Sequence, residues 1–248
     1  MLKVLIDDRI RLASSILASI TGNSEIEEWA HPHPLRLATQ KFLEPFRSHP
    51  CTLMFSEICK RIPQGTPPGS LLYLAALLLK GPPEFAWDVD DSKTEGILLG
   101  MSESYGTWMH DEQYRTIANQ MMTLIQEISD ALPNLLADFY ETTKIGEFWM
   151  GHHEWWEGAV RQCSALMEQG QMVRWLHNFY GEDGNLVLVP NPIDPPTDAF
   201  GFVRRSSKYA VIGPPAVTKQ MEDSDANHQY ERNPQYVVNT AFHEFSHG

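Results

Sequence analysis

The sequence predicts an α+β fold that is predominantly α, with a helical body, a small β element and a terminal helix. Over most of the first 180 residues, apolar side chains recur at the three- and four-residue spacing of amphipathic helices. After Gly181 the pattern changes to short apolar runs between turn residues, which indicates strands. A last helical pattern begins near Asn233. We therefore expect a mainly helical part over 1–180 and a second part over 181–248, an arrangement compatible with one continuous domain.

The helical body is predicted as a series of segments that proline and glycine separate. Ser70 is the expected N-cap of a buried helix that is apolar on all sides, and Pro133 suits the first turn of a later helix. The predicted helices run from Leu2 to Ile20, from Leu35 to Leu43, from Leu71 to Leu79, from Asp111 to Leu132 and onward from Pro133, so that helices fill roughly 110 to 178.

Two segments are the strand candidates. Leu186 to Val189 is an apolar run between turn residues, and Tyr209 to Ile212 precedes the Gly213-Pro214-Pro215 turn. The terminal helix is expected to start at Pro234, because Asn233 is a good N-cap and proline is favoured at the first helical position.

Charge and composition exclude several functional classes. Lys and Arg number 19 against 32 Asp and Glu, so the net charge of −13 argues against a nucleic-acid partner. The N-terminus lacks the uninterrupted apolar region of a signal peptide, and the longest apolar run has nine residues against the ~20 that a membrane-spanning helix needs. We therefore expect no membrane association and, by default, a cytoplasmic location, while the oligomeric state cannot be read from the sequence.

The pattern His243-Glu244-Phe245-Ser246-His247 matches HExxH, the zinc-binding motif of metallopeptidases. It is expected by chance only roughly 0.03 times in a chain of this composition. His243 and His247 lie one helical turn apart, so both imidazoles can reach a single Zn²⁺. Helical phase places these histidines opposite an apolar face, which is expected to pack against the rest of the protein.

The chemistry assigns each residue of the motif a role. We expect His243 and His247 to be metal ligands and Glu244 to be the general base, which accepts a proton from the water that attacks a peptide carbonyl. Zn²⁺ is the expected cofactor, because it lowers the pKa of its bound water toward ~7. A peptide or protein is the expected substrate.

A catalytic zinc ion normally has three protein ligands, whereas the motif supplies two. We expect the third ligand to lie beyond Gly248, and hence the 248 residues to be part of a longer protein. On this expectation the 248-residue chain alone is folded but essentially inactive. If the third ligand lies upstream instead, His152, His153 and His228 are the first candidates.

The segment from Asn239 to His247 resembles the active helix of the zincin metallopeptidases, and its subclass resembles the one with a downstream Glu ligand, the gluzincins. More loosely, Asp7 to Ile10, Phe46 to Pro50 and Phe139-Tyr140 are similar to an uncharacterised bacterial family of predicted metallopeptidases. The resemblance implies a peptidase-like domain of unknown substrate. Of the functional positions, only His243, Glu244 and His247 carry over.

The competing hypothesis is a non-catalytic helical interaction module whose motif holds a structural metal or is degenerate. The metal hypothesis is favoured because the motif is rare and its helical phase is consistent. In zincins the substrate often adds itself to an edge strand beside the active helix. Lys208 to Ile212 is the candidate for this substrate-binding strand. An ordinary core hairpin is the equally favoured alternative for the same segment.

Three other groups are interpreted as structural. His153 and Glu157 have ligand spacing, but a helix packed through Trp155 and Trp156 is favoured. The remaining two groups are His31 and His33, expected to be exposed loop histidines, and Asp88, Asp90 and Asp91, expected to be a solvated acidic loop and not a calcium site.

Overall fold

The architecture of the chain is known from a computed structural model, which describes residues 2–20, 31–62, 68–88, 112–169, 174, 178, 185–204, 207–217 and 229–246. Its fold is α+β and predominantly α, as the sequence predicts. The elements are β1 (Leu2–Val4), α1 (Asp8–Ile20), α2 (Pro34–Leu43), a 3₁₀ turn (Glu44–Phe46), α3 (Pro50–Arg61), α4 (Pro68–Leu77), α5 (Glu112–Ile128), α6 (Leu132–Thr143), α7 (Ile145–Gly151), α8 (His153–Gln169), β2 (Asn185–Pro190), β3 (Ala199–Arg204), β4 (Ser207–Ile212) and α9 (Pro234–Ser246).

The four strands among the described residues form one mixed sheet in the order β1-β2-β4-β3. β1 and β4 each run parallel to β2, with Leu2 opposite Leu186 and Val187 opposite Tyr209. β3 is antiparallel to β4 and occupies one edge of the sheet. The carboxyl ends of the three parallel strands β1, β2 and β4 therefore lie at the same end of the sheet. The chain leaves β2 at Asn191 and β4 at Gly213 on this end.

Helices cover both faces of the sheet, so the described part of the molecule has three layers. On β2, Val187 and Val189 belong to the core shared with α1 and α4, whereas Leu186 and Leu188 belong to the core shared with α8 and α9. This alternation follows from the two-residue period of a strand, and it explains why β2 is apolar throughout. The α4 residues Leu71 to Leu77 are all buried in the first of these cores.

The N-terminal segment differs from the predicted helix, because Leu2–Val4 is a strand. It pairs with β2, and Leu5 N continues the pairing by donating to Leu188 O at 3.1 Å. The helix starts only at Asp8, where the Asp7 carboxylate accepts a hydrogen bond from Arg9 N at 3.0 Å. Apolar residues 2, 4, 5 and 6 fit either period, so only the partner strand decides between helix and strand.

Other elements also differ from the sequence analysis, among them α4 and β3. α4 begins at Pro68, so Ser70 lies within the helix and is not its N-cap. β3 was not predicted, because Gly201 interrupts its apolar alternation. In contrast, the predictions for β2, β4, Pro133 at the start of α6 and Pro234 at the start of α9 are confirmed.

Histidine side chains cap two of the helices. His33 Nδ1 accepts a hydrogen bond from Leu35 N at 3.0 Å at the start of α2, and His49 Nδ1 accepts one from Cys51 N at 3.2 Å at the start of α3. In both cases a proline follows at the first helical position. The expectation that His33 is exposed is therefore wrong, since only 2% of its surface is accessible, whereas His31 is exposed.

Within the described residues, none of the helices combines the length and the apolar character needed to cross a bilayer.

Candidate active site

The candidate site is built on α9, whose start is defined by its N-cap. Asn233 Oδ1 accepts a hydrogen bond from Tyr236 N at 3.0 Å, and Pro234 occupies the first helical position. The helix buries Val237, Ala241 and Phe245 against β3, β4 and α8. The predicted packing face of the terminal helix is thus present.

His243 is exposed, on the side of α9 that faces away from the buried residues. Its backbone carbonyl accepts a hydrogen bond from Ser246 Oγ at 2.5 Å. This placement is the one that the helical phase predicts for a ligand. His247, the second predicted ligand, lies outside the described residues, so its position relative to His243 is not part of the structure.

Glu244, the predicted general base, is buried with 7% of its surface accessible. It therefore belongs to the packed side of α9, between the buried positions Ala241 and Phe245 and the exposed His243. Burial raises the pKa of its carboxyl group to about 7, because the charged form loses its hydration.

A glycine in β3 allows α9 to lie directly on the sheet at Glu244. A Cβ atom at Gly201 would collide with the backbone carbonyl oxygen of Glu244 and approach the Glu244 Cα to 3.2 Å. No other residue type leaves this space free. The sequence analysis did not identify Gly201, although a glycine inside a strand is a known sign of close backbone approach.

Tyr236 is a second residue that the sequence analysis did not identify. It lies two helical turns before Glu244, and its hydroxyl donates to Gly213 O at 3.2 Å. Burial raises the pKa of its hydroxyl well above the ordinary value, with the negative charge of Asp198 acting in the same direction. Tyr236 thus joins α9 to the carboxyl end of β4, and no feature of the sequence indicated this contact.

Other candidate ligands form local contacts. His152 Nδ1 lies 2.8 Å from Phe148 O, and His153 Nδ1 lies 2.9 Å from Met150 O. The described part of the chain contains no group of three or more His, Cys, Asp or Glu residues that could hold a metal ion. His228, the third upstream alternative, lies outside the described residues.

The structure also describes, at least in part, two groups that the sequence analysis interpreted as structural. They are the pair His153 and Glu157 and the aspartates Asp88, Asp90 and Asp91. Trp156 is fully buried and Trp155 half-buried, in agreement with a packed α8 helix at His153 and Glu157. The Asp88 carbonyl accepts a hydrogen bond from Arg204 Nη2 at 2.5 Å. Asp90 and Asp91 lie outside the described residues, so the proposed acidic loop is not described as a whole.

The candidate strand for substrate, Lys208 to Ile212, is not an edge strand. It forms part of β4, which pairs with β2 on one side and with β3 on the other, so its backbone hydrogen bonds are already used. The alternative of a core hairpin is correct. Of the strands in the described sheet that contact α9, β3 is the one at an edge.

Comparisons with protein-family models, with curated protein sequences and with solved structures give no match to this chain.

Proposed function

We propose that the chain carries the HExxH helix of a zinc-dependent metallopeptidase that hydrolyses peptide bonds. The observation that supports this function best is the arrangement on α9, where His243 is exposed and the neighbouring Glu244 is buried against β3. A ligand must be accessible to the metal, whereas burial raises the pKa of a general base toward neutral pH, where it can both accept and return a proton. The exposure of His243 and the burial of Glu244 agree with these two roles.

The residues present fit the expected ion in chemical type. An exposed imidazole is a good zinc ligand, and in this proposal His243 and His247 hold the ion together with a third ligand from outside the described residues. When bound, Zn²⁺ supplies a positive charge that activates water and polarises the substrate carbonyl. Glu244 accepts the proton of the attacking water and returns it to the leaving nitrogen.

We further propose that the substrate peptide binds along the outer edge of β3. The backbone of an edge strand has unpaired N–H and C=O groups, to which an extended peptide can add as a further strand. β3 is also the strand whose Gly201 contacts the Glu244 backbone. A peptide on this edge would therefore lie beside the general base.

The first prediction tests the role of Glu244. The Glu244→Gln variant, prepared from the whole reading frame, is expected to keep about one zinc ion and lose at least about 100-fold in peptidase rate, because the amide preserves shape but accepts no proton. Zinc is measured by elemental analysis and rate with a peptide library.

The burial of Glu244 is also consistent with one alternative, the interaction module in which this helix is purely structural. That alternative predicts no hydrolysis by the wild-type protein. It also predicts that Glu244→Gln is neutral or stabilising, because a buried carboxyl group is replaced by an uncharged amide. A wild-type protein without zinc and without peptidase activity would contradict our proposal.

A further inference from the structure

A cleft of about 360 Å³ lies between the start of α1 and the consecutive helices α6 and α7. Pockets that bind small molecules have volumes of roughly 300–1,000 Å³, so the cleft is large enough for a small ligand. Both charged and apolar side chains line it, among them Arg11, Tyr140, Lys144, Glu147, Trp149 and Met150. The described residues that line the cleft belong to α1, α6, α7 and the turn between the last two, and none of them has a role in the proposed peptidase reaction.

The guanidinium group of Arg11 is fixed at this cleft by two indole rings. Its central carbon lies 4.1 Å from the centroid of the Trp149 ring and 5.3 Å from that of the Trp156 ring. The Trp149 ring is itself held by its Nε1, which donates to Ser15 Oγ at 3.4 Å. A guanidinium group that is already ordered by stacking can bind a ligand without a further loss of side-chain entropy.

Most of the hydrogen-bond donors of Arg11 have no acceptor in the part of the chain that the structure describes. Nη2 donates to Asp8 Oδ1 at 2.5 Å, whereas Nε is buried without a partner. Trp156 Nε1, on one of the two rings beside the guanidinium, is likewise a buried donor without an acceptor. Such unsatisfied donors are unfavourable, so the surroundings of Arg11 are short of acceptor oxygens.

The charge of Arg11 is also compensated only in part. Its side chain is 14% accessible, whereas the side chain of its partner Asp8 is 49% accessible. Burial lowers the pKa of the Arg11 guanidinium, and the charge and hydrogen bond of Asp8 offset only part of this effect. A charge that has lost most of its hydration needs a counter-ion and satisfied hydrogen bonds. A second carboxylate at Arg11 would supply both.

Two further polar groups in the cleft have no polar partner among the described residues. The Tyr140 hydroxyl lies against Gly146, where a Cβ atom would collide with it, and it forms no hydrogen bond. Glu147 is exposed and its carboxylate forms no ion pair. Glu141 is different, because its Oε2 lies 3.2 Å from Lys144 Nζ. The cleft thus combines unused donors on Arg11 and Tyr140 with an unused carboxylate on Glu147.

We propose that this cleft binds a small zwitterion of the amino-acid type. Its carboxylate accepts hydrogen bonds from Arg11 and Tyr140, and its ammonium group pairs with Glu147. An apolar side chain of the ligand contacts Met150, which is 68% accessible. The site is separate from the HExxH helix and does not depend on the peptidase function.

The charges of the cleft disfavour ligands of a single sign. Three carboxylates, those of Asp8, Glu141 and Glu147, line it together with the two cations Arg11 and Lys144. A ligand with negative charge alone is repelled by the carboxylates, and one with positive charge alone leaves Arg11 without acceptors. A free amino acid and a short peptide both carry the required pair of charges.

The test follows the indole N–H signal of Trp149 in ¹H–¹⁵N spectra, because this ring stacks on Arg11. The zwitterionic probes are L-leucine and L-leucyl-L-leucine, and the tighter of the two distinguishes a free amino acid from a peptide. We expect saturable binding with a Kd of about 1 mM or below. L-Leucinamide, which lacks the carboxylate, and N-acetyl-L-leucine, which lacks the ammonium group, should bind at least about tenfold more weakly than L-leucine. No saturable shift with either zwitterion, or equal affinity for L-leucine and its two derivatives, would overturn the proposal.

Two variants assign the two ends of the ligand. Glu147→Gln should weaken binding of L-leucine about tenfold and leave the weaker binding of N-acetyl-L-leucine unchanged, because that probe has no ammonium group. Tyr140→Phe should weaken binding of both and leave L-leucinamide unchanged. Glu57→Gln is the matched control, since Glu57 is an exposed glutamate on α3 that does not line the cleft. Equal affinity of Glu147→Gln and Glu57→Gln for L-leucine would show that the proposal is wrong.

Discussion

Two adjacent residues of the HExxH motif, His243 and Glu244, occupy different environments. His243 is exposed, whereas Glu244 has 7% of its surface accessible. The helical phase predicted the exposure of His243 correctly. It did not predict the burial of Glu244, because burial at the border of a helix face depends on how closely the sheet approaches, and Gly201 sets this distance.

The second prediction concerns the ligand role of His243. In the protein translated from the whole reading frame, His243→Ala is expected to weaken zinc binding by at least the roughly 10- to 100-fold that outer-shell changes cost. Competition with a chelator of known affinity measures the change. His31→Ala is the matched control, because His31 is likewise exposed and lies in the segment before α2, outside the HExxH motif. Equal zinc affinity in the two variants would contradict the ligand assignment.

A third prediction concerns the histidine caps. His49→Ala is expected to lower the free energy of unfolding by about 1 kcal/mol, because Cys51 N loses its acceptor. His49→Asn should lose less, since asparagine is itself a favoured N-cap. Urea unfolding at neutral pH measures both. If His49→Ala and His49→Asn lower the free energy of unfolding by the same amount, the hydrogen bond to Cys51 N does not stabilise the fold.

At the scale of elements, the contact between α9 and β3 determines the geometry of the candidate site. Helix α9 can lie on β3 only where the strand lacks a side chain, and Gly201 provides this gap opposite the Glu244 backbone. A change at Gly201 should therefore move the helix without altering any residue of the HExxH motif.

The fourth prediction follows from this contact. Gly201→Ala is expected to destabilise the fold by about 1–3 kcal/mol, because the new methyl group meets backbone and not a flexible side chain. If the proposed function is correct, the displaced base should also lower peptidase activity roughly 100-fold. Gly151→Ala is the control, since a Cβ there meets no atom within 4 Å. Unchanged stability of Gly201→Ala would show that α9 and β3 are not in close contact.

Elements with a strong periodic pattern could be predicted from the sequence, and short or interrupted ones could not. β2 and β4 each contain a continuous apolar run, and α9 has both a capping Asn233 and Pro234. β1 has three residues and is a strand only through its pairing with β2. The edge position of β3, and with it the wrong choice of Lys208 to Ile212 for substrate, depends on strand order, which no local pattern encodes.

At the scale of the whole molecule, the division near residue 180 does not coincide with a division of the sheet. β1 comes from the N-terminal part and pairs with β2 from the C-terminal part. The core around α1 and α4 also includes Val187, Val211 and other strand residues. The two parts of the sequence thus share one sheet and both of its packed faces.

The fifth prediction is that the chain unfolds as a single unit. Tryptophan fluorescence, which reports mainly on the helical part, and far-ultraviolet circular dichroism should give the same urea midpoint. A fragment of residues 181–248 should not fold alone, because it lacks β1 and the helices that cover Val187 and Val211. Separate transitions for the two probes would indicate two independent domains.

The pairing of β1 with β2 also has a consequence for the order of events during synthesis. Leu2 leaves the ribosome before its partner Leu186, which is translated 184 residues later. At the usual rate of about 5–20 residues per second, β1 waits roughly 10 to 40 s for its neighbour. Contacts of such large sequence separation also slow folding. The nascent helices must therefore tolerate an uncovered apolar face for this time, which makes the newly made chain a natural client for chaperones.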